Sequence, residues 1–168
     1  FLVEGAVMDW SGVLLTEVKN MDIALAGTGY AIFSVAMLIM RLLGDKTVQF
    51  LGEQKAVIDG SLVTAAGFAL VVVLDNLYLN ALAFVLIGLG CANIVPVFYS
   101  LLKYQKDMPI SAAVTAITSI AYTGVILGPA LLGFVAHGIN ISAVFELLAF
   151  LLIIEAGIAK YVFCKLKI

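Results

Sequence analysis

The sequence predicts an all-α polytopic membrane protein with six transmembrane helices. Three observations predict it: 64% of residues are hydrophobic and 12% charged, apolar runs of bilayer-spanning length recur along the whole chain, and the basic residues cluster on one side of the boundaries between those runs. Soluble domains are about half apolar and a quarter charged, so a chain with mean hydropathy +1.17 has its bulk in lipid. A net charge of −2 implies no nucleic-acid partner.

At a rise of ~1.5 Å per residue, ~20 apolar residues cross the ~30 Å hydrocarbon layer. The six predicted spans are 1–15, 24–43, 56–74, 77–102, 111–136 and 141–163. The first is short, and Phe1 to Val3 already lie in an apolar run with no initiating Met, basic n-region or cleavage site. A cut from a longer chain is therefore expected. The connections 16–23, 44–55, 75–76, 103–110 and 137–140 are too short for a soluble domain, so a single membrane domain over 1–168 with antiparallel neighbours is expected.

Orientation follows from the retention of Lys and Arg on the cytoplasmic side. Arg41, Lys46 and Lys55, then Lys103 and Lys106, then Lys160, Lys165 and Lys167 share one side, whereas Lys19 stands alone on the other with Glu17, Asp22 and Asp75. Both ends of this segment are expected in the cytoplasm. Five or seven spans would move the basic tail away from the two basic loops, so six is the consistent number.

The most specific local pattern is Arg41-Leu42-Leu43-Gly44-Asp45-Lys46 followed by Gly52-Glu53-Gln54-Lys55, between the second and third spans. It resembles the signature loop of the major facilitator superfamily, which occupies the same place in each six-helix half; Gln54 stands where the family often has a basic residue. The resemblance continues through Glu4-Gly5-Ala6 and Asp9-Trp10-Ser11, through Gly90 to Phe98, and through Tyr122-Thr123-Gly124 and Leu127-Gly128-Pro129-Ala130. These phrases are similar to the seventh, tenth and eleventh helices of bacterial facilitators near the fucose permease subgroup.

That resemblance implies the carboxy-terminal half of a twelve-helix transporter, built as two inverted three-helix repeats, 1–74 and 77–163. It would pair with a second half, on the same polypeptide or a partner chain. A small polar solute such as a sugar or metabolite would bind between the halves and move by alternating access, with a proton as coupling ion, across a plasma membrane, as in the bacterial inner membrane. No cofactor is implied.

Several residues carry the candidate chemistry. A carboxylate in hydrocarbon costs ~2.5–3.5 kcal/mol on insertion scales unless it faces a cavity or a partner, which singles out Glu4 and Asp9 as proton-coupling candidates. Five positions apart, they stand about 140° apart around a helix, so one is expected to face the central cavity and the other a neighbouring helix. A structural hydrogen bond between helices is the plainer alternative for either.

Asn93 offers an amide at membrane depth, and Pro96 removes a backbone hydrogen bond close to it. A broken helix facing a cavity is where transporters bind polar solutes, although a packed kink and an interhelical bridge explain the same two residues. Trp10 and Tyr122 are candidates to stack a sugar ring, against simple packing. Gly128 and Pro129 mark a second helix break. In the loop, Arg41, Gly44, Asp45, Lys46 and Gly52 are gating candidates, with Asp45, Arg41 and Lys46 forming a charge latch; a solvated charged turn is the plainer reading.

Small-residue spacing at Gly124/Gly128, Ala112/Ala116 and Gly88/Ala92 permits close helix approach but is common to membrane bundles. Glu146 and Glu155 lie about 180° apart on the last helix, with Glu155 read as pairing or snorkelling; Asp59 is read as interfacial. Cys91 and Cys164 are far apart and read as free thiols.

Enzymatic readings find no support. His137 is the single histidine, so zinc-ligand spacing is absent, and no Ser lies in G-x-S-x-G. An intramembrane aspartyl protease would need Gly where Leu42 stands. The non-enzymatic alternative is a six-helix scaffold, or degenerate transporter half, that moves nothing.

Overall fold

The computed structural model describes residues 1–166, Leu166 by its backbone alone; Lys167 of the predicted basic tail lies outside the described residues. Every regular element among them is helical. Five segments are long and apolar enough to cross a membrane: Ile23–Leu42, Glu53–Val73, Leu77–Tyr104, Ile110–Gly138 and Ile141–Lys165. The first predicted span is α1 (Leu2–Val13) continued by a π-helical turn, Leu14–Val18, and it falls short of the other five.

Local chemistry sets the boundaries. A short turn, Ile23–Leu25, capped by Asp22, precedes α2 (Thr28–Leu42). The stretch expected as a loop from residue 44 is itself helical: α3 (Gly44–Leu51) intervenes before α4 (Glu53–Val73). Gly52, at φ +84°, makes the corner between them in a conformation that favours glycine. Asn76 caps α5 (Leu77–Cys91), its Oδ1 accepting from the Tyr78 amide at 2.9 Å.

The predicted fourth span is interrupted. A turn at Ala92–Asn93 separates α5 from α6 (Ile94–Ser100), which runs into a 3₁₀ turn, Leu101–Tyr104. Pro96 has no N–H for the Ala92 carbonyl one turn back, which explains why helical pairing lapses there. By contrast, Pro129 lies inside α7 (Ile110–Gly138), which continues through it as one helix. The expected break at Gly128-Pro129 is not an interruption. The Asn140 side chain accepts from the Ala143 amide at 2.7 Å at the start of α8 (Ile141–Leu166).

The central helix is α4, packed against α5 and α8, while α2 lies on α5 and α1 joins α2 to α7. Phe33, Phe68, Phe84, Phe145 and Ile87 are fully buried. The outward faces carry Leu38, Ile39, Phe134, Phe150 and Ile153, an apolar exterior that suits lipid.

Small residues bring the helices close. An added Cβ on Gly60 would sit 2.6 Å from the Gly90 carbonyl oxygen, and one on Gly88 2.5 Å from that of Phe33. Gly128 seats Leu2 of α1. Ala112 and Ala116 lie on the exposed side of α7.

Candidate functional site

The polar residues gather where α2 ends, α4 begins and α6 ends. Arg41, in the last turn of α2, donates from Nη2 to Glu4 Oε1 of α1 at 2.6 Å. Two candidates read separately, one as a coupling carboxylate and one as a loop residue, therefore form a single ion pair. Glu53, at the first turn of α4, accepts at 2.7 Å from both Ser100 Oγ and Lys103 Nζ. These charge-assisted contacts tie α4 to the end of the interrupted helix.

Between the two pairs lies a cavity lined by Arg41, Gly44, Asp45, Glu53, Asn93 and Pro96, among others. Asn93 is buried on its wall, and its Oδ1 would lie 2.6 Å from a Cβ on Gly44. The loop glycine is thus the point where α3 passes against the helix break. Asp45 and Lys46 are exposed and, among the described residues, neither enters an ion pair. Within the described residues Arg41 pairs with Glu4, because the α2 terminus aims Arg41 at α1.

Asp9 is exposed on α1, five residues beyond Glu4. Trp10 is turned instead toward α7, its ring near Gly133, and its buried indole N–H meets no acceptor among the described residues. Tyr122 stacks on Phe1, ring centroids 5.6 Å apart at 18°. Gly52 is solvent-exposed at its corner. Pro96, Asn93 and the Arg41–Gly44–Asp45 group share one cavity, whereas Asp9, Trp10 and Tyr122 stand apart from it.

Two features escaped the sequence reading. Glu53 looked like one charge in a charged turn, and only the folded contact with Ser100 and Lys103 reveals it. The other is a row of exposed hydroxyls on α7: Thr115, Ser119 and Thr123 each donate to the carbonyl four residues back, at 2.8–2.9 Å. The four-residue spacing from Ser111 to Thr123 in an otherwise apolar helix was the available signal.

At the opposite end, Lys19 Nζ donates to Asp75 Oδ1 at 2.8 Å and to the Val72 carbonyl at 2.7 Å. The pair joins the chain after α1 to the α4–α5 turn. No cluster of His, Cys, Asp and Glu suited to a metal ion occurs among the described residues.

Comparison with known proteins finds transporters. Over 162 residues the chain is 40% identical to an uncharacterized MFS-type transporter of Yersinia pestis, covering 96% of this chain and 42% of that protein. It is 31% identical over 144 residues to an uncharacterized transporter of Sinorhizobium fredii, 86% of this chain and 38% of the relative. The membrane protein MosC of Rhizobium meliloti is 24% identical over 94% of this chain and 37% of its own length. The chain thus spans about two fifths of the curated relatives it matches. No family model matches, and no solved structure does.

Proposed function

We propose that this chain is the carboxy-terminal six-helix half of a major facilitator transporter, moving a small polar solute such as a sugar or metabolite by proton-coupled alternating access. The observation that carries the reading is the 40% identity, over nearly the whole chain, to a protein named as an MFS-type transporter. The remaining length of such relatives leaves room for a second half. In this reading α1 with its π-helical turn is the first crossing, at the short end of the ~17–25 residue range, and the repeats are 1–74 and 77–163. The bilayer is a bacterial inner membrane, with the Arg41–Lys103 end in the cytoplasm.

Asp9 is the coupling carboxylate in this scheme. Its exposure on α1 suits a cavity wall between halves, because a lone carboxylate facing lipid is costly. The α7 hydroxyls would face the same partner or cavity. Glu4, held by Arg41, belongs instead to the cytoplasmic gate, where the pair would break and re-form as the halves rock. Asn93 and Pro96 give that gate a helix interruption on which the loop glycine rests.

The test is uptake by the complete protein in proteoliposomes across a panel of sugars and small metabolites, with and without an imposed proton gradient. Gradient-driven accumulation of one solute, lost in Asp9→Asn, is the expected result. Accumulation indifferent to the gradient would overturn the proton coupling. Absence of any uptake across the panel, from protein that is folded and inserted, would favour a scaffold.

A further inference from the structure

Among the described residues Asn80 alone is a buried side chain with both polar atoms unpaired: neither Oδ1 nor Nδ2 has a hydrogen-bond partner, and the residue is 1% exposed. Other polar side chains in the helices are satisfied. Asn76 and Asn140 cap α5 and α8, and Ser61 and Thr64 donate to the carbonyls four residues back. Asn80 stands one turn into α5, on the buried stripe of Ala83, Phe84 and Ile87. Both amide atoms are sealed within this chain's own packing, so no outside group reaches them unless that packing opens.

Such an amide is costly where it lies, since burial strips its hydrogen bonds with water and the fold returns none. A leucine there would be free of that cost. The contact that holds the arrangement shut lies within a turn of it. Lys19, its side chain 3% exposed, donates to the Val72 carbonyl in the last turn of α4 at 2.7 Å and to Asp75, in the corner before α5, at 2.8 Å.

The arm that carries Lys19 is built of forms that release easily. It comprises the π-helical turn Leu14–Val18, a form rare beyond single turns. Beyond Lys19 comes Asn20 at φ +51°, in the left-handed region that most residues avoid. Asp75 is exposed, so water competes for its half of the clasp.

We propose that the α4–α5 corner is a two-state element, shut by Lys19 in the arrangement described and open when the arm lifts and water reaches Asn80. The amide sets the balance. It raises the free energy of the shut form and gains hydrogen bonds only in the open one, while Lys19 with Asp75 and Val72 pulls the other way. Opposed terms of similar size keep both forms populated. The use of such a corner rests on the alternating-access reading, in which the end opposite the Arg41 cavity opens in its turn; the opening itself is a property of this chain.

The test is hydrogen–deuterium exchange, read by mass spectrometry, on the complete protein in lipid nanodiscs, following the amides of residues 80–84. Asn80→Leu should slow their exchange about tenfold, because the shut form no longer buries an unpaired amide. Asp75→Asn should speed it severalfold, and the double variant should return toward the rate of the unaltered protein. Amides of residues 60–66, midway along α4, should keep their rates in all three variants. Unchanged or faster exchange in Asn80→Leu would overturn the proposal, and so would equal slowing of both segments, which marks a general stiffening. Should Asn80→Leu fail to fold, Asn80→Ala removes the amide without adding volume. Slower exchange is expected there too, and an unchanged or faster rate overturns the proposal. Exchange is read without transport, so failure of this inference and failure of the uptake experiment are separate results.

Discussion

Arg41 Nη2 and Glu4 Oε1 meet at 2.6 Å although 37 positions separate them in sequence. The contact fastens the start of α1 to the end of α2. Glu4→Gln and Arg41→Met should each lower uptake by the complete protein about tenfold, a change of ~1.4 kcal/mol in barrier. The exchanged pair Glu4→Arg with Arg41→Glu should recover much of the loss. Recovery measured in the same proteoliposomes identifies the pairing as the active property; an exchanged pair as poor as the single variants would show that each side chain has a separate task.

Gly44 and Asn93 interlock more tightly. A methyl group on Gly44 would stand 2.6 Å from Asn93 Oδ1, so α3 or the helix break must shift to admit it. Overpacking of this kind costs typically ~1–3 kcal/mol. Gly44→Ala should lower the thermal unfolding midpoint of the purified protein, and adding Asn93→Ala should restore part of the drop. Gly44→Ala with an unchanged midpoint would show that Asn93 swings aside without cost.

These two contacts show where sequence reading succeeds and where it stops. Apolar run length located five helices of crossing length within a few residues, because hydrocarbon thickness acts on composition directly. Pro96 marked the interruption of the fourth span, since a missing N–H is a local fact. The same argument misjudged Pro129, whose helix continues, because whether a helix tolerates a proline depends on neighbours that sequence does not name. The α3 helix was hidden in a charged stretch read as loop. Pairings such as Arg41 with Glu4, or Glu53 with Lys103, arise from packing between helices distant in sequence, so charge type and spacing gave the candidates without their partners.

The two native cysteines report orientation. Cys164 is exposed near Lys165, and Cys91 is buried in the break region. In sealed right-side-out vesicles a membrane-impermeant maleimide should leave both unlabelled, and in inverted vesicles it should label Cys164 alone. Labelling of Cys164 from outside would reverse the assignment of the basic end to the cytoplasm.

Lys19 and Asp75 make an unequal pair, with side-chain exposures of 3% and 88%. Removing the carboxylate in Asp75→Asn leaves a sequestered ammonium with the Val72 carbonyl and a weaker neutral acceptor. Removing the ammonium in Lys19→Met leaves a carboxylate already in water, while the aliphatic stem keeps its packing. An unpaired buried charge is costlier than a deleted pair, although Asp75's exposure screens the interaction. Asp75→Asn should therefore destabilise by about 1 kcal/mol and Lys19→Met by less than about half of that, read from thermal unfolding in one detergent. The reverse order would mean that Lys19 contributes chiefly through its bond to Val72, with Asp75 incidental to the staple.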